Sequence, residues 1–377
     1  MKIPFGKPII DFKEFKKVKE VLSSGILTHG PISQNFEKNF SKFTGLKNLL
    51  STSSCTSSLY LAYKIIGLKK GDEFIVPAQT HVATINAGKI LGAKPVFVDS
   101  DNLTGNIDIS EIEKKITKKT KCITIVHFLG KPVDIRKINK LVKRYKIKLI
   151  EDCALALGSK YYNKHVGFFS DFACFSFYPA KHITTGDGGM LFCKNKNDFE
   201  KAKLLRGFGV NKSFFERKTP GIYDVLDCGL NFRLSDINSA IGLVQLSKIK
   251  SFLKKRKQNY LYLSKNIKKN KKLKLVNSES ERNLTSSYYC ISFIVRGINR
   301  KKRNEYLNLL KSKGIGCSVY YPRAVIDYTY YKKDGYSRLN FFNAREISNC
   351  SICLPVGPHL KLNNLKFITL ELKKIFK

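Results

Sequence analysis

Short apolar runs alternate with longer stretches of helical spacing over the first two-thirds of the chain. "EFIVP" (73–77), "KPVFVD" (94–99), "CITIVHF" (122–128), "IKLIED" (147–152), "FACFSF" (172–177) and "GMLFC" (189–193) are nearly continuous in apolar residues. Runs of that length and composition predict strands buried on both faces. Between them, residues 56–67, 82–91, 134–145 and 197–206 carry apolar positions three and four apart, which predicts helices. The alternation predicts an α/β fold, with a mostly parallel central sheet flanked by helices.

From about residue 246 the rhythm changes. The segment 248–275 has apolar residues at Ile249, Phe252, Leu253, Tyr260, Leu263 and Ile267, with lysines between them. That is a long basic helix with one apolar face. "YYCISFIV" (288–295), "GIGCSVYYP" (314–322) and helical spacing near 301–313 and 363–375 follow. These predict a smaller α+β domain at the C-terminal end. The expected division is 1–245 for the large domain and 246–377 for the small one.

Composition changes this picture little. The hydrophobic fraction of 43% is ordinary for a globular chain of 377 residues. No apolar run reaches the length of a membrane span, and the first residues, "MKIPFGKPIIDFKEF", lack a signal-peptide pattern. A cytoplasmic location is therefore expected, with no membrane partner. Ten cysteines are scattered, and the one close pair, Cys350 and Cys353, has no second pair to complete a four-ligand site, so no metal is expected. Lysine and arginine number 69 against 29 acidic residues, a formal net charge of +40. Such an excess suits anionic ligands, nucleic acid among them. The lysines are spread along the whole chain, however, and no nucleic-acid motif accompanies them. Nucleic acid is not an expected partner.

In open α/β sheets, ligands bind beyond the carboxyl ends of the strands. Four of these ends carry polar residues. "KNLLS" runs into "TSSCTSS", which places Ser54, Thr56 and Ser57 at the start of a helix. Hydroxyls there either cap the helix or help its N-terminus hold a phosphate. His81 follows the strand 73–77; its ring is either a structural group or a face for a flat ligand. Asp152 ends the strand 147–152; it either caps a turn or keeps the ring nitrogen of a pyridine-type cofactor protonated. Lys181 lies five residues after Ser176 in "SFYPAKHITTGDGG". It is either a solvated side chain or an amine held for Schiff-base chemistry. The convergence of all four on one rim favours the functional reading of each.

Seven segments, in order, resemble the pyridoxal-phosphate-dependent sugar aminotransferases of the DegT/DnrJ/StrS type, members of the fold type I group. They are "GILTHGPISQNFEKNF" (25–40), "GDEFIVPAQTHVATINAGKILGAKPVFVDSD" (71–101), "VHFLGKPVDI" (126–135), "EDCALALGS" (151–159), "SFYPAKHITTGDGGM" (176–190), "GLNFRLSDINSAIGLVQL" (229–246) and "GIGCSVYYP" (314–322). The resemblance implies that Lys181 bonds the aldehyde of pyridoxal 5'-phosphate and then shuttles protons. It implies that Asp152 pairs with the pyridine nitrogen and that His81 stacks on the ring. Thr56, Ser57 and Ser176 would hold the phosphate. Asn231 would reach the phosphate of a neighbouring subunit, so a homodimer with shared active sites is expected.

The implied reaction is amino transfer, with L-glutamate as donor, to a nucleotide-linked keto-deoxysugar. Thr28, His29, Arg233 and Tyr321 are the candidates for the substrate side. Three positions depart from the family pattern: Leu155 replaces a glutamine or histidine, Cys55 a glycine, and Tyr320 a histidine. The rival readings are a cofactor-dependent sugar-nucleotide dehydratase and a non-catalytic regulatory or nucleic-acid-binding relative. Related 3-dehydratases carry histidine where this chain has Lys181, which favours transamination.

Overall fold

The computed structural model describes every residue except 1, 29, 213–218, 220, 277–282 and 337–339. Two helices open the chain, α1 (Phe12–Ser24) and α2 (Pro31–Thr44). Asp11 caps α1 by accepting from the Lys13 N–H, and Glu14 reaches back to the Asp11 N–H in a capping box. Then come β1 (Leu49–Thr52), α3 (Cys55–Ile66), β2 (Glu73–Pro77), α4 (Val82–Lys89), β3 (Lys94–Val98), α5 (Ile109–Ile112), β4 (Thr120–Val126), α6 (Ile135–Tyr145) and β5 (Lys148–Asp152). A small hairpin, β6 (Lys160–Tyr161) and β7 (Lys164–His165), leads to β8 (Phe172–Ser176), β9 (Gly189–Cys193) and α7 (Lys196–Arg206).

The central sheet has seven strands in the order β1-β9-β8-β5-β4-β2-β3. Neighbours from β8 through β3 pair in parallel, and β9 runs antiparallel to both β1 and β8. The reversal of β9 has a consequence for the rim. Its amino end, Gly189, pairs with Ser176 and Thr52, which are the carboxyl ends of their strands. One face of the sheet is packed by Tyr63, Phe74, Ile85 and Leu205; Phe36, Phe40, Phe175 and Phe177 form an edge-to-face aromatic cluster in another core region.

The long helix starts earlier than its lysine pattern predicts. It is α8 (Asp236–Ile267), with Ser235 accepting from the Asn238 N–H as its cap. It ends before "KKNKKLKL" is complete, because Leu273 begins a strand. At about 1.5 Å per residue it is about 48 Å long. Its first half packs on α1 and α2, and its last half lies against β10 (Leu273–Val276) and β12 (Ile291–Val295). The expected division at 245/246 thus falls within this one helix.

Between β10 and β12 comes β11 (Leu284–Thr285), which pairs with β6. Beyond β12 lie α9 (Arg300–Ser312), α10 (Thr329–Lys333), α11 (Phe342–Cys350), β13 (Ser351–Leu354) and α12 (Leu362–Ile375). The strands β10-β12-β13 make a second, antiparallel sheet. The two halves exchange core residues. Ile3 packs with the C-terminal core, while Ala324, Val325, Ile326, Tyr331 and Phe341 pack into the core of the large sheet. Among the described residues no helix is long and apolar enough to cross a membrane.

Two buried imidazoles couple this packing to pH. His165 accepts from the Gly158 N–H at Nε2 (2.8 Å) and donates from Nδ1 to the Val166 carbonyl (2.7 Å), so it is built in as the neutral tautomer. Burial pushes it down to about 4, and His182 is lowered for the same reason. Above about pH 6.5 neither folded nor unfolded His165 is charged, and its contribution is fully present. As pH falls from there towards 4 the unfolded chain takes up the proton first, so stability drops, by up to about 3 kcal/mol for His165. Thermal melting between pH 7 and pH 4.5 is expected to show this fall, and His165→Gln is expected to flatten it.

Candidate active site

A cavity of about 330 Å³ opens at the carboxyl rim of the central sheet. Its floor and walls come from four strand ends and from the C-terminal half of the chain. Ser54, Cys55 and Thr56 line it at the amino end of α3, with His81, Asp152, Ser176 and Lys181 around them. Tyr289, Tyr320 and Tyr321 close it from the other side.

The α3 end is held by hydroxyls. Ser54 has an extended backbone and accepts from the Ser57 N–H at 3.1 Å, the usual N-cap arrangement. Ser57 is buried, and its hydroxyl lies 2.8 Å from that of Ser53 and 2.9 Å from that of Ser54. The wall at this helix end is therefore Ser54, Cys55 and Thr56, with Thr56 exposed. A helix N-terminus presenting backbone N–H groups and hydroxyls is suited to a phosphate.

Asp152 is the last residue of β5 and is 4% exposed. Its Oδ1 accepts from the Ala154 N–H (3.1 Å) and its Oδ2 from the Thr84 hydroxyl (2.8 Å). The alternation of β5 sends its neighbour Glu151 to the other face, where Oε2 accepts from the His127 Nε2–H (2.8 Å) and the Gly167 N–H (2.6 Å). His127 Nδ1 accepts from the Val133 N–H, which leaves the proton on Nε2. The strand end is thus anchored on both sides.

His81 caps α4, its Nδ1 accepting from the Ala83 N–H at 3.2 Å. Its ring stands 5.7 Å from that of Tyr321, and partial burial and then Lys181 lower its pKa. An imidazole kept neutral in this way offers a flat face to the cavity. Lys181 follows a tight turn closed by its own N–H to the Tyr178 carbonyl (2.8 Å). Its Nζ lies 5.5 Å from the centre of the Tyr289 ring. Burial lowers its pKa, and the opposing pull of Cys55 and Asp152 does not offset that. A larger share of neutral amine at a given pH follows.

The sequence-predicted residues divide by place. Lys181, Asp152, His81, Thr56, Ser176 and Tyr321 are brought to the cavity. Thr28 is exposed just before α2, and Asn231 is exposed, bridged to Gly207. Arg233 stacks its guanidinium 5.0 Å from the Phe208 ring centre, and burial followed by Arg206 lowers its pKa. None of these three lines the cavity within one chain. His29 lies outside the described residues.

Tyr178, Tyr289 and Thr84 were not among the candidates. Tyr289 lies in an apolar run of the C-terminal half, with nothing local to mark it. Thr84 follows His81 by three residues, a helical spacing that turns it inward under the rim; that spacing was the available signal. Tyr320, noted for replacing a histidine, puts its hydroxyl 2.6 Å from that of Tyr289, and its carbonyl accepts from Gln79 Nε2 at 2.9 Å. Leu155 lines the cavity and cannot hydrogen-bond through its side chain.

These groups fit a phosphorylated pyridine aldehyde. The helix end suits the phosphate, the buried carboxylate a ring N–H, the imidazole face a flat ring, and the desolvated amine an aldehyde. A lysine and an aspartate converging on the carboxyl rim of a mostly parallel sheet define a transferase of fold type I. The chain belongs to the DegT/DnrJ/EryC1/StrS aminotransferase family, whose sequence profile matches residues 8–373.

GDP-perosamine synthase of Escherichia coli O157:H7 is 38% identical over 324 residues, 85% of each chain. Helicobacter pylori PseC, an aminotransferase involved in the biosynthesis of pseudoaminic acid, superposes with a TM-score of 0.93 at 31% identity, covering 100% of this chain and 99% of that one. The PLP-form of Spr1654 from Streptococcus pneumoniae also superposes with a TM-score of 0.93, at 27% identity, covering 100% of this chain and 98% of that one.

One contact tests the phosphate end of the site. A Cβ at Gly189 would lie 2.5 Å from the Ser54 carbonyl carbon and 2.6 Å from its oxygen, both backbone atoms. Gly189→Ala is therefore expected to push β9 from the α3 terminus. Overpacking of this kind costs about 1–3 kcal/mol. A lowered melting temperature with weaker binding of pyridoxal phosphate is the expected result, checked by calorimetry and fluorescence titration.

Proposed function

We propose that this protein transfers an amino group from L-glutamate to the keto carbon of a nucleotide-linked deoxysugar, using pyridoxal phosphate. Family membership makes it a pyridoxal-phosphate-dependent sugar aminotransferase. The observation that carries the finer reading is the meeting of Lys181 and Asp152 in one cavity lined by four tyrosines, Tyr178, Tyr289, Tyr320 and Tyr321. The bound cofactor supplies an electron sink that stabilises negative charge on the carbon losing a proton.

Each residue then has a task of its own. The α3 terminus, Thr56 and Ser176 hold the phosphate, and Ser57 supports that terminus through Ser53 and Ser54. Asp152 keeps a proton on the ring nitrogen by opposite charge. His81 covers one ring face. Lys181 Nζ is the nucleophile for the aldehyde, and as a released amine it carries the proton to and from the substrate carbon. The tyrosine wall excludes water and offers aromatic surface and hydroxyls to a sugar. The resemblance to GDP-perosamine synthase makes a GDP-linked sugar the first acceptor to try.

A second copy of the chain completes the site in this reading. Phe208, Ile222, Val225, Leu226 and Leu230 are exposed on the arm that leads to Asn231. Such apolar exposure suits a covered surface, and Asn231 of the second copy would then meet the phosphate.

Two experiments test these roles. Lys181→Ala is expected to abolish the visible absorption band with pyridoxal phosphate and the release of 2-oxoglutarate. Since burial lowers the pKa of the amine below that of an ordinary lysine, cofactor capture by the wild type is expected to accelerate with pH and level off below the ordinary lysine range. A plateau only at ordinary lysine pH would contradict this role. Co-expression of Lys181→Ala with Asn231→Ala is expected to restore activity that neither variant has alone, because one site of the mixed dimer keeps both residues. No recovery in isolated mixed dimers would remove Asn231 from the shared site.

A further inference from the structure

The aspartate facing the cofactor cavity is held by more than its own strand. Thr84, fully buried on α4, gives its hydroxyl to Asp152 Oδ2 at 2.8 Å. An ionised carboxylate has no proton to give, so the direction of this bond is settled. The Thr84 oxygen also lies 2.9 Å from the Thr80 hydroxyl. Having used its own proton on Asp152, Thr84 must accept from Thr80, and a one-way chain runs Thr80 to Thr84 to Asp152.

The backbone at Thr84 is fixed as well. Its carbonyl accepts from the Tyr63 hydroxyl at 2.9 Å, and that hydroxyl lies 2.8 Å from Thr124 Oγ on β4. Thr80, Tyr63, Thr84 and Thr124 are all at most 1% exposed. No solvent is at hand to replace a missing bond, so each deletion would be felt in full.

We infer that Thr84 is a positioning residue for catalysis, which fixes the plane of the Asp152 carboxylate and sets how strongly it draws on a ring-nitrogen proton. The inference rests on the proposed pairing of Asp152 with the pyridine nitrogen. With Oδ1 tied to the Ala154 N–H and Oδ2 to Thr84, one direction on each oxygen is spent. These two bonds hold the plane of the carboxylate, and Asp152 lines the cavity. Donation from Thr84 also spreads the negative charge. Without it Oδ2 becomes a stronger acceptor and takes a larger share of the ring proton. The ring then withdraws electrons less strongly.

Thr84→Val keeps the shape and removes the donor; Thr84→Ser keeps the donor. The readout is the pH midpoint of the visible absorption band of the protein loaded with pyridoxal phosphate. A less protonated ring lets the nitrogen joining Lys181 to the cofactor hold its proton to higher pH. The other titratable groups near that nitrogen, Cys55, His81, His182 and Tyr289, keep their identity among the Thr84 variants, so a shift reports on Asp152. Thr84→Val is expected to raise the midpoint by about one unit and to lower kcat with little change in KM. Thr84→Ser is expected to track the wild type. Thr80→Val, one bond further out, is expected to shift the midpoint the same way by less, which keeps the test open if Thr84→Val does not fold.

Asp152→Asn separates the two layers of the argument. If it moves the midpoint while Thr84→Val and Thr80→Val leave it at the wild-type value, the role given to Thr84 is wrong and that of Asp152 stands. If Asp152→Asn leaves the midpoint unmoved, the pairing of Asp152 with the ring fails, and the role of Thr84 with it.

Discussion

A carboxylate buried at the tip of a strand has to be matched by donors, or the fold would not keep it there. Asp152 is matched by a backbone N–H from its own turn and a hydroxyl from α4. Its strand neighbour Glu151 is matched on the opposite face by His127 and the Gly167 N–H. Unsatisfied, groups of this kind cost several kcal/mol each. Two adjacent acids on alternate faces, Asp152 bonded through both oxygens and Glu151 through Oε2, therefore tie β5 to β4, to α4 and to the loop before β8. The cavity is shaped around that locked strand end.

Lys181 is placed by the opposite principle. It has been brought out of water, and burial lowers its pKa more than the attraction of Cys55 and Asp152 raises it. Nearby, partial burial and then the charge of Lys181 lower the pKa of His81. The site thus joins a well-satisfied acid to a poorly solvated base. That difference is what a reaction needs if one group must stay charged while another takes up and gives back protons.

Much of this was legible along the chain. Near-continuous apolar runs located the parallel strands to within a few residues, because a strand covered on both faces has no polar positions to spare. The polar residues just after those runs located Lys181, Asp152, His81, Thr56 and Ser176 at one rim, because strands of the same direction deliver their ends to the same side. The tyrosine wall was less legible. Tyr289 and Tyr320 come from a part of the chain more than a hundred residues from Lys181. Their pairing through hydroxyls depends on how the second sheet packs. The start of α8 at Asp236 was also hidden, because the lysines that mark this helix begin only at Lys248.

The order of strand and helix, the buried character of the sheet and the chemical types at the rim follow from the sequence alone, since each depends on residues a few positions apart. Other features belong to the folded chain. These are the antiparallel turn of β9 that brings Gly189 against Ser54, the hydroxyl chain from Thr80 to Asp152, and the lowered pKa of Lys181. Each depends on the distance between atoms remote in sequence, or on the exclusion of water from a completed core. Local pattern carries no information about either until the chain has closed on itself.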